Sequence, residues 1–157
     1  MKEILSSYQV NNHTLALLPA KHTDYYTIVY EQDRTLYITQ TPLEIIKFSC
    51  LYYFSSYEGR REAVVHEFGY KRKVPISIDP KQNLFTFPTY SPENYNCAWI
   101  FYHHIRNIKT ATTNPMRKSI ITFINEKEVE VDVSTFVLEK QMSRTAICVR
   151  RFGKMIG

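Results

Sequence analysis

Eight short segments of the sequence are rich in β-branched or aromatic residues, several with apolar and polar positions alternating, and turn-forming residues separate them. Pairs such as Asn11-Asn12, Gln32-Asp33 and Asp79-Pro80 fill the joints. Runs of this length with this punctuation are typical of strands joined by hairpins or tight corners. The pattern therefore predicts a mostly antiparallel sheet. The predicted strands are residues 14–18, 26–30, 35–39, 75–78, 84–87, 98–105, 119–124 and 129–133.

Three further segments carry helical signals. Thr41 is expected to cap a helix over 41–54, with Pro42 at its first position and Glu44 closing a capping box. Residues 56–67 and 134–152 are predicted as the second and third helices, although both contain β-branched runs that also suit strands. We expect apolar faces built by Leu43, Ile46 and Cys50 in the first helix and by Phe136, Met142 and Ile147 in the third.

The length of the chain fits one domain. Domains of roughly 100–150 residues are the commonest, and this chain has 157 residues. The expectation is a single α+β domain over residues 1–157, with a mostly antiparallel β-sheet and two or three short helices. In the segment 98–105, either Trp99 and Phe101 or Ala98 and Ile100 should face its core.

Positive charge is concentrated in one part of the chain. Residues 60–125 carry ten Lys and Arg against four Asp and Glu, whereas residues 1–59 carry four against six. Clustered cations beside aromatic rings are typical of a surface that binds a polyanion. We predict DNA-binding residues in this stretch: Tyr57, Arg60, Arg61, Lys71, Arg72 and Lys73, with Arg106, Lys109, Arg117 and Lys118 as flanking phosphate contacts.

Two other interpretations of these cations stay open. Arg60-Arg61-Glu62 also suits a solvated helix face with local salt bridges. The segments 41–54 and 56–67 together suit a helix-turn-helix, with the two arginines near the start of a recognition helix. Arg150, Arg151 and Lys154 either add to the basic surface or only solvate a helix end.

The motifs of enzymes and metal sites are missing from the sequence. There is no Cys-x-x-Cys, no His-x-x-x-His and no Gly-x-Ser-x-Gly, and the four glycines form no phosphate-binding fingerprint. We therefore expect no catalytic activity, no metal and no cofactor. The apolar runs are far shorter than a membrane span, and three separated cysteines fit a reducing cytoplasm.

Several collinear segments resemble a known family. The central one is Ser55-Ser56-Tyr57-Glu58-Gly59-Arg60 within residues 50–61. The others are Tyr8-Gln9-Val10-Asn11, Leu17-Leu18-Pro19, Asp79-Pro80 followed by Phe85-Thr86-Phe87-Pro88-Thr89, Cys97-Ala98-Trp99-Ile100 and Arg144-Thr145-Ala146. With this order and spacing, the chain resembles the bacterial competence transcription factors of the ComK family.

The resemblance implies a specific function. It implies an activator of DNA-uptake genes that binds A/T-rich boxes of double-stranded DNA, largely through the minor groove, as homodimers that pair into a tetramer on a promoter. The protein would then be cytoplasmic and associated with the nucleoid. This chain stops at Gly157, where the family continues into a tail linked to adaptor-guided proteolysis, so we expect that tail to be absent or truncated and the adaptor site to lie outside this chain.

A minor-groove protein needs cations that enter a narrow groove from a loop or an arm, and it requires no recognition helix. Lys71-Arg72-Lys73 and Arg60-Arg61 are the best candidates for that role. Two alternatives from other classes remain. One is a β-rich protein-interaction adaptor that uses a surface rich in its 12 tyrosines, and the other is a single-stranded nucleic-acid binder that stacks bases on exposed rings.

Overall fold

The computed structural model describes residues 2–111 and 118–153. This part of the chain forms ten strands and three helices, an α+β fold with a mostly antiparallel sheet, as predicted. The strands are β1 (Ile4–Leu5), β2 (Thr14–Pro19), β3 (Thr27–Glu31), β4 (Thr35–Ile38), β5 (Ile76–Asp79), β6 (Leu84–Pro88), β7 (Trp99–Phe101), β8 (Ile105–Thr110), β9 (Ser119–Phe123) and β10 (Glu128–Val131), and the helices are α1 (Pro42–Tyr52), α2 (Tyr57–Phe68) and α3 (Thr135–Phe152).

The strands form two sheets. The larger sheet has seven strands in the order β1-β4-β3-β2-β7-β6-β5, and the smaller has three in the order β10-β9-β8. Neighbouring strands are antiparallel except β1 and β4, which run parallel with Ile4 opposite Tyr37. Three of these eight pairs, β3–β4, β5–β6 and β9–β10, follow connections of three or four residues, which contain the turn residues Asp33, Pro80 with Asn83, and Asn125.

The larger sheet is buried on both of its faces. On one face Trp99 packs with Ile45, Ile46 and Cys50 of α1. On the other face Ile100 packs with β9 and β10 of the smaller sheet and with α3. The sequence offered these two sets of positions on β7 as alternatives for the core, and the structure buries both. Strand β7 therefore lies at the centre of a three-layer arrangement.

Each of the three helices begins directly after a residue whose side chain caps it. The Thr41 side chain accepts a hydrogen bond from the Glu44 amide, and Glu44 accepts one from the Thr41 amide, which completes the predicted capping box. At the starts of α2 and α3, the Ser56 and Ser134 side chains accept hydrogen bonds from the Gly59 and Val137 amides. The two weaker helix predictions are thus confirmed.

The predicted apolar face of α3 is largely wrong. Phe136 is 72% exposed and Ile147 is 41% exposed. The buried face consists instead of Leu138, Gln141, Thr145 and Cys148, at helical spacing. Two of these four residues are polar, so hydrophobicity alone selected the wrong stripe.

Candidate nucleic-acid interface

Four cations line one open cleft between two loops. The first loop, residues 69–75, joins α2 to β5, and the second, residues 89–98, joins β6 to β7. The cleft has a volume of about 460 Å³. Its lining consists of Arg61, Lys71, Arg72, Lys73, Val74, Tyr90, Ser91, Pro92 and Asn94. Four of the predicted contact residues therefore meet at one place, and we call it the basic cleft.

The first loop leaves α2 in a defined direction. Gly69 caps the helix with a φ of 73°, a left-handed conformation that glycine adopts without steric cost. The Tyr70 ring then stacks on Phe68 at a centroid distance of 5.5 Å. The guanidinium of Arg144, from α3, lies 4.2 Å from the centre of the same Tyr70 ring. These contacts fix the base of the loop before its cations begin.

All three carbonyls of Lys71-Arg72-Lys73 accept hydrogen bonds from side chains of the protein. Arg61 donates to the Lys71 carbonyl at 3.2 Å, and Arg144 donates to the Arg72 carbonyl at 2.9 Å. The Lys73 carbonyl accepts from Gln141 at 2.8 Å and from Arg144 at 3.3 Å. Since the carbonyls are bound to the protein, the backbone of this tripeptide is fixed and its charged side chains line the cleft.

Gln141 has two roles in this arrangement. It is 1% exposed, and the same amide nitrogen that binds the Lys73 carbonyl also donates to the Pro88 carbonyl at 2.8 Å. The Arg144 guanidinium in turn donates to the Gln141 side-chain oxygen at 2.8 Å. Burial lowers the pKa of Arg144 from its ordinary value, although the residue stays a cation at neutral pH. We call Gln141 and Arg144 the α3 clamp.

The end of the tripeptide has an uncommon backbone conformation. Lys73 has a φ of 48°, in the left-handed region that residues other than glycine seldom occupy. The following residue, Val74, is 2% exposed and packs with Val64 and Phe85. The buried valine and the clamp together hold Lys73 in this conformation, which fits the observation that such outliers persist only where their surroundings determine them.

None of the four cations of the basic cleft forms an ion pair with another described residue. Within residues 2–111 and 118–153, the six ion pairs closer than or at 4.0 Å include none of the four. Lys71 and Arg72 are exposed, while Arg61 and Lys73 are half-buried. Four like charges around one cleft repel one another, so an anion placed between them gains from all four.

Two other predicted contacts in α2 lie elsewhere. The Tyr57 ring is only 9% exposed and contacts Trp99 edge-on, and burial raises the pKa of its hydroxyl to about 12. Arg60 lies beside Ser77 and Pro80 in a small pocket of about 90 Å³, and its Nε is buried without a hydrogen-bond partner among the described residues. The structure thus separates Tyr57 and Arg60 from the basic cleft, and Tyr57 belongs to the core.

The cations of the smaller sheet are neutralised by carboxylates. Arg106 forms an ion pair with Glu126, and the Lys109 ammonium lies 3.2 Å from the Glu128 carboxylate. Arg106 follows Ile105, which is opposite Phe123 at one end of the smaller sheet. At the same end, the Asn125 side chain donates to the Gln32 carbonyl. Neither residue lines the basic cleft.

Lys118 lies at the opposite end of that sheet. It is followed by Ser119, whose hydroxyl donates to the Val133 carbonyl, and Tyr90 donates to the neighbouring Asp132 carbonyl at 2.6 Å. Tyr90 also lines the basic cleft. Lys118 itself does not line the cleft. Arg117 lies outside the described residues, as does Lys154.

Sequence reasoning missed the α3 clamp. Gln141 and Arg144 are about 70 positions away from the loop that they bind, and no local pattern links the two segments. The available signal was a glutamine at a helix position whose neighbours at helical spacing, Leu138 and Thr145, are buried. A buried amide needs hydrogen-bond partners, so such a position indicates a structural contact.

Groups with reactive chemistry are few in the described structure. Burial raises the pKa of Cys50 to about 12 and those of Cys97 and Cys148 to about 11, so these thiols are protonated at neutral pH. Residues 2–111 and 118–153 hold no group of three or more His, Cys, Asp or Glu side chains arranged around a metal position. Over the same ranges, no helix has both the length and the apolar character needed to cross a bilayer.

Comparison with known proteins identifies the family. The family described as "ComK protein" matches residues 5–156. A protein of Bacillus subtilis (strain 168) named "Competence transcription factor" is 34% identical over 143 residues, which cover 90% of this chain and 73% of that protein. No solved structure matches the chain. The chain therefore belongs to the ComK family.

Proposed function

We propose that this protein is a transcription factor of genetic competence that binds double-stranded DNA through the basic cleft. The observation that carries the proposal is the convergence of Arg61, Lys71, Arg72 and Lys73 in one cleft, with no ion-pair partner among the described residues. Phosphate groups bound there would release condensed counterions. The similarity to a protein named "Competence transcription factor" supports the biological role.

The geometry favours contact through the loop over contact through a recognition helix. The exposed residues of α2 include Glu58, Glu62 and Glu67, so this helix would present carboxylates to a negatively charged groove. The Lys71-Arg72-Lys73 loop presents only cations. We therefore infer that the loop approaches the duplex and that α2 packs behind it, which disfavours the helix-turn-helix interpretation.

The same loop provides a reason for preferring A/T-rich sequence. Stretches of A/T base pairs narrow the minor groove and strengthen its negative potential, which attracts a guanidinium or an ammonium group. Arg72 is exposed on the fixed loop and is our candidate for entering the groove. Lys71, Lys73, Arg61 and Lys118 are our candidates for contacts to the flanking phosphates.

We further propose that the protein acts as an activator on paired sites in the cytoplasm, associated with the nucleoid. Homodimers that pair into a tetramer would prefer two A/T-rich boxes separated by whole helical turns of roughly 34–36 Å each. Inserting half a turn between the boxes should lower the affinity, as measured by fluorescence anisotropy. Equal affinity for the original and the shifted sites would contradict the paired arrangement.

A three-ligand titration tests the proposed function. An A/T-rich duplex, a G/C-rich duplex of equal length and the A/T-rich single strand are titrated with the full chain at one salt concentration. We expect the A/T-rich duplex to bind most tightly, and Arg72→Gln to reduce its advantage over the G/C-rich duplex. Tighter binding of the single strand would indicate a base-stacking protein instead. Absence of binding to all three ligands would contradict the proposal and leave the interaction adaptor as the better explanation.

A further inference from the structure

An exposed apolar patch covers the C-terminal half of α1 and shares no residue with the basic cleft. Phe48 is 39% exposed, Leu51 is 65% exposed, Tyr52 is 51% exposed and Phe54 is 99% exposed. Phe48, Leu51 and Tyr52 are three and four positions apart, so they lie on one face of the helix, and Phe54 extends that face beyond its end. Contiguous large apolar side chains on a surface mark an interaction site.

Phe54 has a backbone conformation that its side chain disfavours. Its φ is 65°, its amide donates to the Leu51 carbonyl at 3.0 Å, and the Ser55 amide donates to the Cys50 carbonyl at 3.0 Å. These two bonds form the helix-ending motif in which glycine usually occupies the left-handed position. A phenylalanine there is strained and, being almost fully exposed, gains little packing in return. Strained residues of this kind cluster at functional sites, where a binding partner offsets the strain.

The size of the patch matches what a protein dimer needs. With roughly 150–250 Å² for each aromatic side chain, the exposed fractions of the four residues give about 500 Å² of apolar surface. An interface of standard size buries about 800 Å² on each partner, and about 65% of a homodimer interface is apolar, which again gives about 500 Å². One patch from each of two copies therefore suffices for a symmetric interface.

The charges around the patch permit contact between copies. Glu44 and Glu58 are exposed acids, and Lys47 lies 4.0 Å from Glu58, so both signs are present beside the apolar face. Two copies of this surface bring little like-charge repulsion, in contrast to two copies of the basic cleft. A patch with this rim offers nothing to a phosphate backbone, so it is free for a protein while the cleft holds DNA.

We propose that the patch of Phe48, Leu51, Tyr52 and Phe54 is the surface through which two copies of this chain form a symmetric dimer. The proposal names the surface for the dimer put forward under the proposed function and rests on that dimeric state. It does not depend on the base preference of the cleft.

The variant Phe54→Gly removes the aromatic ring from the patch without destabilising the fold. Glycine relieves the left-handed strain, so the melting temperature should stay the same or rise, while the largest exposed ring of the patch is removed. In sedimentation equilibrium of the full chain without DNA, we expect the dimer dissociation constant to rise by about tenfold or more. The matched control is Phe136→Ala, which removes a 72% exposed ring from α3 and should leave the dissociation constant unchanged.

Two results would overturn the proposal. One is a wild-type protein that stays monomeric up to about 100 µM, which would assign the patch to a different protein. The other is a dimer whose dissociation constant is the same in the Phe54→Gly variant and the wild type. The affinity of the wild type for a single A/T-rich box, measured in parallel with the patch intact, tests the cleft independently of the variant. A weakened dimer with no DNA binding would therefore support the patch and contradict the proposed function.

Discussion

The basic cleft and the smaller sheet carry similar cations in different surroundings. In the cleft, Lys71 and Arg72 are exposed, belong to no ion pair within residues 2–111 and 118–153, and are attached to a backbone whose carbonyls are bound by the protein. On the smaller sheet, Arg106 is paired with Glu126 of the turn between β9 and β10, and Lys109 is paired with Glu128 of β10. Both pairs of residues come from the same basic stretch of sequence.

This difference shows why a count of charges does not locate an interface. A phosphate that approaches Lys71 meets an unpaired ammonium and displaces only counterions. A phosphate that approaches Lys109 must compete with Glu128 and is repelled by it. The orientation of the side chain matters as well, because a fixed loop loses less conformational entropy on binding. Electrostatic pairing thus distinguishes the cations of the cleft from Arg106 and Lys109 of the smaller sheet, although both groups come from the same basic stretch.

Removing the α3 clamp should have the largest effect on this comparison. Gln141→Ala leaves the Pro88 carbonyl without its side-chain partner and weakens the hold on the Lys73 carbonyl. We expect a loss of about 3 kcal/mol in the free energy of unfolding, and a drop of about tenfold in DNA affinity because the loop is no longer fixed. Urea denaturation and anisotropy titration measure the two quantities.

The control for this variant is Leu138→Ala. Leu138 is fully buried on the same face of α3, but it belongs to the apolar cluster between the two sheets, which contains no residue of the Lys71-Arg72-Lys73 loop. It should cost about 2–5 kcal/mol in stability while the folded protein keeps its DNA affinity. Equal losses of affinity in the two variants would mean that general destabilisation, and not the clamp, weakens the binding.

Acid should destabilise the protein mainly by protonating Glu31, which lies neither in the basic cleft nor on the smaller sheet. Glu31 on β3 is 3% exposed and accepts hydrogen bonds from Tyr8, Arg34 and Asn11. Burial by itself raises the pKa of this carboxyl, but the three hydrogen bonds outweigh it and lower the pKa below the ordinary value. Burial and the bond to Glu31 raise the pKa of Tyr8.

The sign of the pH effect follows from the lowered pKa of Glu31. The carboxylate stabilises the fold fully above the unfolded pKa of about 4.3, and this contribution is lost as the pH falls through the folded value. Glu31→Gln should cost about 2 kcal/mol at neutral pH and flatten the acid limb of the stability curve. A variant with the acid limb of the wild type would show that other carboxylates control acid unfolding.

Removing the two paired cations of the smaller sheet should have the smallest effect on stability and on DNA affinity. The double variant Arg106→Gln with Lys109→Gln removes two cations and frees Glu126 and Glu128. Exposed ion pairs contribute about 0.2–1 kcal/mol each, so stability should change little. We expect the DNA affinity to change by less than about twofold, and we attribute this small change to long-range electrostatics. A loss of more than about tenfold would place the contact surface on the sheet.

Local signals in the sequence predicted most of the fold. Capping residues such as Thr41 and Ser56 fixed helix starts, because their side chains bind the first free amides. The two-residue β1 was missed, since it exists only through its parallel pairing with β4. The predicted strand 98–105 was wrong in its second half, where residues Tyr102–His104 form a turn of 3-10 helix and a new strand, β8, begins. No periodicity marks such a break.

The candidate site was predictable only where chemistry is local. Three adjacent cations in Lys71-Arg72-Lys73 indicated the loop, and the structure brings Arg61 to it. The burial of Tyr57, the turn of Arg60 towards Ser77 and the pairing of Arg106 all depend on contacts between distant elements. A basic side chain in the sequence therefore indicates that a residue can bind an anion. Tertiary contacts decide whether that side chain is exposed and unpaired.

The dependence of DNA affinity on salt tests the central claim most directly. The affinity of an A/T-rich duplex is measured over a range of salt concentrations for the wild type, for Lys71→Gln with Lys73→Gln in the cleft, and for Arg106→Gln with Lys109→Gln in the smaller sheet. Loss of two phosphate contacts flattens the slope of log affinity against log salt by roughly 1.8. We predict this change for the cleft variant and a wild-type slope for the sheet variant. A wild-type slope for the cleft variant, with a flattened slope for the sheet variant, would contradict the assignment of the basic cleft as the DNA-binding surface.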